Sequence, residues 1–553
     1  AHAGGMPAAL TIALDESLDH PQGYHLSITK DGTTLTGRDA AGVFYGCCTL
    51  HQLVEVYGGE LPCMVVDDYP DFLARGVMLD ISRDKVPTMD TLYLLIRKLA
   101  FWKINQVQLY TEHTFAYRDH QEVWAESSPL TGQEVLELDV YCRQHHIDLV
   151  PNQNSLGHME RWLKFDRYRP LAECPDGFQS HWGVFSKPTT LDPQDPGSLQ
   201  LITSLYDELL PHFTSSQFNV GGDEPWELGQ GKSKAAVEAG GGRVYLEYLK
   251  KLYQDVSRRG LQMQFWGDII IHYPELVPEL PKDMVAMEWG YEGTHDFDGH
   301  CKLFADAGVP FYVCPGSSSW NALVGRTANM IENNANAAIN GMKHGAIGYL
   351  NTDWGDNGHW QPLSVSYAGF AVGAAFSWCY TSNQGLDLPT ILDTFVFRDR
   401  AGHMGQLVYD LGNVYKITGQ EHINGQVLAT TLQRTPEELD KYFNLVSSWG
   451  GEEPNVDPET LRQAVEQVNE ILSTLNLTEM QLLDSSIIRS EFRLAGDLLL
   501  YSAYRLMHLQ GAKDWSEERL ATERAELKAR QHEVWLLRNR PGGLEDSLNR
   551  WAD

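Results

Sequence analysis

The stretch Gln217-Phe218-Asn219-Val220-Gly221-Gly222-Asp223-Glu224-Pro225-Trp226 reads as a short strand that runs into two glycines and then presents adjacent carboxylates beside a tryptophan. Glycine tolerates sharp turns and the close approach of another group. Asp223 and Glu224 are therefore delivered at a strand end, where the chain leaves a sheet. Neighbouring carboxylates repel, so at least one needs compensation, and groups under that pressure concentrate at functional sites. On its own the pair is equally compatible with two solvated loop acids, and the surrounding chain has to decide.

Outward from this stretch, apolar strand-like runs alternate with amphipathic segments of helical length. The strands are expected at 76–81, 106–110, 147–151, 218–222, 262–266, 284–288, 309–314 and 346–350, and the helices near 88–102, 132–146, 197–212, 242–259, 270–278, 297–307, 326–342 and 362–380. Eight strand-then-helix units over roughly 300 residues fit an α/β fold of the closed (β/α)8 TIM-barrel type better than an open doubly wound sheet. No phosphate-cradling glycine motif follows the first strand, which argues against a dinucleotide fold. Ahead of the barrel, residues 1–70 read as a small α+β domain, with strands at 10–14, 24–28 and 33–37 and a helix at 40–57. Pro62 and Asp67-Asp68-Tyr69-Pro70 read as a linker. The barrel is expected over 71–383. Residues 384–553 read as a helical C-terminal domain, with Thr435-Pro436-Glu437 and Asp457-Pro458-Glu459 as capped helix starts and an apolar stripe at Leu461, Val465, Val468, Leu472 and Leu475. Those helices are expected to cover the barrel, to mediate self-association as a homodimer, or both.

Composition narrows the partners. A formal net charge of -31 disfavours nucleic acid and anionic membrane surfaces, which reward basic patches. No run of 18 apolar residues marks a membrane span. Ala1-His2-Ala3-Gly4-Gly5 lacks the basic start and apolar core of a signal peptide, although a removed signal would leave no trace. The eight cysteines contain no CxxC pair and no zinc-site spacing, so no metal and no cofactor is expected. Reduced thiols favour a cytoplasmic setting over a secreted or periplasmic one.

Active sites in (β/α)8 barrels lie at the C-terminal strand ends. Those ends read Thr111-Glu112-His113, Asn152-Gln153-Asn154 with Gly157-His158, Asp223-Glu224, Trp266-Gly267-Asp268, Trp289, Ser317 to Trp320, and Asp353-Trp354-Gly355-Asp356. Acids and tryptophans recurring there suit a carbohydrate, whose C–H faces pack on indoles while its hydroxyls bond to carboxylates. Glycoside hydrolysis normally places two carboxyls about 5 or about 6.5–9.5 Å apart across the bond. Two consecutive residues cannot easily straddle a sugar in that way. One can act as general acid. The other then orients a nucleophile carried by the substrate itself, such as a 2-acetamido oxygen.

At this point the chain resembles glycoside hydrolase family 20, the β-N-acetylhexosaminidases, over nearly its full length. It looks closest to the branch that includes hexosaminidase D and small bacterial N-acetylglucosaminidases. The resemblance rests on Gln22-Gly23-Tyr24, Gly42 to Gly46 with Thr49-Leu50 and Gln52-Leu53, Asp68-Tyr69-Pro70, Arg75 to Asp80, Pro151 to His158, and Gly222-Asp223-Glu224. It implies removal of terminal β-linked GlcNAc or GalNAc with net retention. Glu224 would be the acid/base and Asp223 the carboxylate that holds the acetamido group. Arg75 would bind the sugar's O3 and O4 hydroxyls, His158 would support the acid, and Trp266, Trp289 and Trp354 would line the sugar pocket. Asp356 and Glu112 would bind hydroxyls. The family's tyrosine that donates to the acetamido carbonyl has no counterpart in register between Cys314 and Asn321. Tyr312, Tyr291 and Trp320 are the alternatives for that role. His113 also stands where the closest branch often has an acid. Two other readings compete with the acetamido mechanism: a retaining β-glycosidase with Glu288 or Asp353 as protein nucleophile, and a non-catalytic glycan-binding barrel.

Overall fold

A computed structural model describes residues 9–180, 183–418, 424–448 and 456–552. The N-terminal segment read above, Ala1 to Gly5, lies outside them. Strands β1 (Ala9–Leu14), β2 (Tyr24–Ile28), β3 (Gly32–Gly37) and β4 (Met64–Asp68) form a sheet in the order β1-β3-β2-β4. Helix Ala40–Tyr57 packs on it through Tyr45, over Tyr24, Leu26 and Leu35. The expected linker at 62–70 is in part a strand. Met64, Val66 and Asp68 turn inward while Val65 and Asp67 face out, and β4 pairs antiparallel with β2.

The barrel strands are β5 (Ala74–Asp80), β6 (Gln106–Tyr110) and β7 (Asp148–Val150), then, after a small hairpin of β8 (Phe178–Ser180) and β9 (Gly183–Phe185), β10 (Gln217–Asn219), β11 (Gln262–Trp266), β12 (Val285–Trp289), β13 (Phe311–Cys314) and β14 (Gly348–Asp353). Neighbours run parallel, and β14 pairs with β5. The seam between β7 and β10 closes through an Asn152–Asn219 bridge, with Asn219 N donating to Pro151 O and Gln153 N to Asn219 O, each at 3.0 Å. β10 ends at Asn219 rather than Gly222, because Gly221 and Gly222 take φ of 71° and 91°, which no strand accommodates. The helix expected at 270–278 is instead two short 3-10 turns, Ile270–His272 and Val277–Glu279. Pro274 and Pro278 remove the amide donors a continuous helix needs.

Side-chain alternation sorts the strand residues. On β5, Val77 and Leu79 face the surrounding helices, whereas Met78 joins the barrel lumen. The upper lumen is filled by Tyr110, Trp266, Met287 and Trp354. The lower lumen is an amide layer in which Gln108 Nε2 donates to Gln264 Oε1 (2.7 Å) and Asn219 Nδ2 to Gln108 Oε1 (3.0 Å). The Tyr312 hydroxyl reaches into this layer, donating to Gln217 Oε1 at 3.3 Å. Gln217 and Gln106, whose Nε2 donates to the Tyr312 hydroxyl at 3.4 Å, are the first residues of their strands, so Tyr312 points away from the C-terminal strand ends. That removes it as a donor to a sugar.

Arg75 shares the outward alternation of Val77 and Leu79 and is 0% exposed. Its Nε donates to Lys103 O (2.9 Å), and its Nη1 donates to Phe72 O (2.7 Å) and Gln22 Oε1 (2.9 Å). The guanidinium lies 5.0 Å over the Tyr45 ring and 4.9 Å over Trp378. It fastens the N-terminal sheet to the bottom of the barrel and cannot reach a ligand at the top. The expected sugar contact at Arg75 is therefore wrong.

In the C-terminal region the longer helices are Met404–Leu411, Pro436–Ser448, Pro458–Ser473, Ser485–Leu509 and Glu517–Trp535, with short ones at Leu388–Ile391, Val427–Thr431 and Leu544–Leu548. Asp457 caps one, accepting from Glu459 N and Thr460 N. Thr435 and Glu438 exchange capping bonds at another. Leu461, Val465, Val468, Leu472 and Leu475 are all buried. If Arg75 is a clamp, Arg75→Met leaves buried carbonyls unpaired and lowers stability by about 3 kcal/mol. Thermal and urea melts read this directly, and an unchanged midpoint contradicts the clamp.

Candidate active site

β5 ends in Asp80, a fully buried carboxylate that organises the first loop. Its Oδ1 accepts from Ser82 N (2.8 Å) and Arg83 N (3.0 Å), and its Oδ2 accepts from Arg83 Nη1 (3.1 Å) and Gly355 N (2.9 Å). The turn throws the Arg83 guanidinium across the top of the barrel, 4.6 Å over Tyr110 and 4.9 Å over Trp354. Its Nε lies 3.3 Å from Glu112 Oε1. The cation at the C-terminal strand ends is thus Arg83, a residue that no local sequence pattern singles out. Glu112 also accepts from the Tyr110 hydroxyl at 3.0 Å. Burial raises its carboxyl pKa despite the nearby guanidinium.

The Asp223-Glu224 loop is held from two sides. Gly221 N donates to Asn219 Oδ1 (2.9 Å) and Gly222 N to Asn154 Oδ1 (3.2 Å). A Cβ on Gly221 would stand 2.0 Å from Asn154 Oδ1, and one on Gly157 would stand 2.4 Å from Asp223 O. Both glycines are needed for the two loops to touch. His158 and Glu224 adopt φ of 55° and 44°, a region that costs energy for residues with a side chain. His158 Nε2 then lies 3.2 Å from Asp223 Oδ2 and 3.4 Å from Glu224 Oε2. Asp223 is 5% exposed, whereas the Glu224 side chain is 31% exposed toward the open cavity.

Burial alone would raise the Asp223 pKa. The His158 imidazole outweighs it and holds the carboxyl below its usual range. Burial would likewise lower His158, but Asp223 and then Glu224 drive it well above the ordinary histidine value. Asp268, whose Oδ2 accepts from Glu224 N at 3.2 Å, moves the other way. Burial first, then Asp223 and Glu224, push it well above the carboxylate range. In this crowded set the environment favours the protonated form of Asp268 and the ionised form of Asp223. In the sequence Asp268 stands at a strand end with nothing local to assign it a role.

Trp289, Tyr291 and Trp354 line the cavity. Trp289 and Tyr291 stack at 5.1 Å, and Trp354 Nε1 donates to the Tyr291 hydroxyl at 2.6 Å. The hydroxyl also hydrogen-bonds the Thr352 side chain. Trp266 and Trp320 do not line the cavity. Trp266 is fully buried beneath Trp354 (ring centroids 5.8 Å apart). Trp320 backs Tyr291 edge-on at 5.0 Å and donates its indole N–H to Asn424 Oδ1 at 2.8 Å, so it has no donor left for a sugar. Of the three candidate donors, Tyr291 alone faces the cavity. Asp356 also lines it, with Oδ2 accepting from Asn321 Nδ2 at 3.0 Å. His113 is buried behind the site, and its imidazole is pushed down to about 3 by burial.

The two candidate protein nucleophiles are both engaged elsewhere. Asp353 Oδ1 accepts from the hydroxyls of Ser317, Ser319 and Ser366 at 2.6, 2.6 and 2.9 Å. Glu288 Oε1 is held between His295 and His300 at 2.9 and 2.7 Å. Neither lines the cavity, which spans about 1650 Å³. Ligand pockets usually measure about 300–1,000 Å³, so there is room beyond a single sugar. The outer wall is supplied by the helical region, through Gln433, Arg434, Lys441, Tyr442, Asn549 and Arg550. Nothing in their local sequence marks them, since only long-range packing brings them to the barrel top.

Residues 72–338 match the family model for the glycosyl hydrolase family 20 catalytic domain, and residues 2–69 match that family's domain 2. The chain belongs to glycosyl hydrolase family 20. Among curated relatives, a β-hexosaminidase of Akkermansia muciniphila is 26% identical over 294 residues, covering 45% of this chain and 57% of that protein. Human hexosaminidase D is 24% identical over 244 residues, covering 42% of this chain and 47% of that protein. The chain thus spans about half the length of these relatives. Among solved structures, the Flavobacterium johnsoniae chitobiase aligns over 98% of this chain and 88% of its own, at 16% identity and a TM-score of 0.57. The β-N-acetylhexosaminidase of Bacteroides fragilis aligns over 67% and 79%, at 18% identity and a TM-score of 0.54. These likenesses support the family 20 barrel fold.

Burial raises the Asp356 carboxyl to about 6, against the lowering effect of Arg83. Difference infrared spectra of wild type minus Asp356→Asn should show a carboxyl that ionises near pH 6 and is protonated below it. A group already ionised at the ordinary aspartate value contradicts this assignment.

Proposed function

We propose that the protein is an exo-acting β-N-acetylhexosaminidase that removes terminal β-linked GlcNAc or GalNAc by retaining, acetamido-assisted hydrolysis. The observation that carries the reading is the division within the adjacent pair. Asp223 is buried and held ionised against His158, whereas the Glu224 side chain lines the cavity and is 31% exposed. An ionised inner carboxylate suits the acetamido N–H, and an outer carboxyl suits the leaving oxygen.

In the first step Glu224 donates its proton to the glycosidic oxygen as the C1–O bond breaks. The acetamido oxygen closes on C1 from the opposite face. Asp223 accepts from the acetamido N–H and stabilises the positive charge that develops on the ring so formed. The Tyr291 hydroxyl donates to the acetamido oxygen and positions it. Glu224, now a carboxylate, takes a proton from water, which attacks C1 and reopens the ring, giving net retention. Arg83, with Glu112 and Asp356, bonds the sugar hydroxyls, and Trp354 with Trp289 provides the apolar walls. The printed names of the curated relatives, several of them β-hexosaminidases, support the same reading.

The division into 1–70, 71–383 and 384–553 accompanies this proposal. It is supported by the separate N-terminal sheet and the closed ring of eight strands. No helix among the described residues is long and apolar enough to cross a membrane. The eight free cysteines support a reducing, cytoplasmic setting.

Aryl 2-acetamido-2-deoxy-β-glucoside should turn over while the matching aryl β-glucoside stays essentially uncleaved. Asp223→Asn should lower kcat by about 100-fold or more, and Glu224→Gln by about 100- to 10,000-fold on a substrate with a poor leaving group. Comparable cleavage of the β-glucoside, or an Asp223→Asn enzyme within a fewfold of wild type, contradicts the proposal.

A further inference from the structure

Glu288 poses a problem that the sugar site does not solve. On β12 it shares the outward alternation of Ala286, while Val285 and Met287 fill the lumen. It is therefore a carboxylate buried between the barrel wall and helix Phe297–Asp306, with 1% side-chain exposure. Such burial is expensive unless the charge is compensated. Among the described residues no lysine or arginine pairs with it. Its partners are two imidazoles, His295 Nε2 at 2.9 Å and His300 Nδ1 at 2.7 Å, both on the same oxygen.

The three ligand-type atoms lie within 4.8 Å of one another. Zinc takes imidazole nitrogen at about 2.0–2.1 Å and carboxylate oxygen at about 2.0–2.2 Å. Three such ligands therefore surround one ion at separations the observed cluster already brackets. The surroundings are fixed, as a built site requires. A Cβ on Gly290 would stand 2.1 Å from the His295 ring, so that glycine makes the room the imidazole occupies. Asn336 Nδ2 donates to Gly293 O (3.0 Å) and His295 O (2.8 Å), and Asn333 Nδ2 donates to Gly290 O (2.8 Å), tying the 290–295 loop to helix Thr327–His344. His295 lines the main cavity, and the two imidazoles are 22% and 29% exposed. An ion and the water that completes its shell thus have a path in.

We infer that Glu288, His295 and His300 form a binding site for a zinc-class divalent cation, which clamps the loop carrying Tyr291 to the barrel wall. Binding replaces the two N–H···O contacts with metal bonds, and each imidazole presents a deprotonated nitrogen to the ion. Two histidines and a carboxylate are a ligand set that zinc accepts, and imidazole also suits the neighbouring transition metals. The spacing of the three residues, across a strand end, a loop and a helix, matches no local metal motif.

The test uses Co2+ and Zn2+ on the full chain, after chelator treatment and dialysis. Wild type should take up one equivalent of Co2+ with the visible bands of a low-symmetry, four-coordinate ion, lose them on adding Zn2+, and melt at a higher temperature with Zn2+ present. His300→Ala should lose both the bands and the shift. Glu288→Gln keeps the acceptor for both imidazoles, so it tests ligation with little disturbance of shape, and it too should lose them. Circular dichroism and the metal-free melting temperature check the folding of each variant. No stoichiometric uptake by wild type, or equal uptake by folded Glu288→Gln and His300→Ala, overturns the assignment.

Discussion

The site is governed by a shortage of cations among crowded carboxyls. Asp80, Glu112, Asp223, Glu224, Asp268 and Asp356 converge on one guanidinium, Arg83, and one imidazole, His158. They cannot all be ionised together in a buried space. Where each is neutralised follows from position. Asp80 has the Arg83 side chain and three backbone amides, Asp223 has His158, and Asp268 has the Glu224 amide and the Trp289 indole but no cation among the described residues, so burial and its acidic neighbours favour its protonated form. A charged inner carboxylate beside an exposed outer one is the result, and the proposed chemistry needs that asymmetry.

The barrel creates this arrangement through chain geometry rather than through any single strong contact. Alternation along β5 sends Asp80 inward and Arg75 outward, so two arginines near one strand serve opposite ends of the molecule. At β10 the paired glycines end the ladder early, and Gly157 lets the loop after the neighbouring strand β7 come within contact of Asp223. Three residues of the site, His158, Glu224 and Asp356, are held in the left-handed backbone region. That strain is stored where side-chain direction matters most.

Much of this was legible in the chain. The eight-fold alternation of apolar runs and amphipathic segments identified the barrel because periodicity is a local property, and the strand ends then located Asp223, Glu224, His158, Trp289, Trp354 and Asp356. The resemblance points to Arg75, whose place at the start of the first barrel strand favours a structural role, and it leaves Arg83 unmarked; alternation with Val77 and Leu79 confirms that Arg75 faces outward. Tyr312 and Trp320 were favoured by nearness to the seventh barrel strand, whereas the hydroxyl that meets the cavity is Tyr291, after the sixth. β4 was hidden by Asp-Pro punctuation that resembles a linker. The helical wall of the cavity and the Glu288 cluster were invisible for another reason. Each depends on contacts between segments distant in sequence, and neither leaves a local pattern.

In the proposed mechanism the substrate's acetamido oxygen, steered by Asp223 and Tyr291, is the nucleophile. Its most direct measure is the rate of hydrolysis across aryl β-glycosides with a progressively fluorinated N-acetyl group and a common leaving group. Fluorine drains electron density from that oxygen while changing the rest of the substrate little. With acetamido participation, kcat/KM should fall steeply and monotonically with each added fluorine. A flat dependence would contradict it and return the search to a nucleophile supplied by the protein.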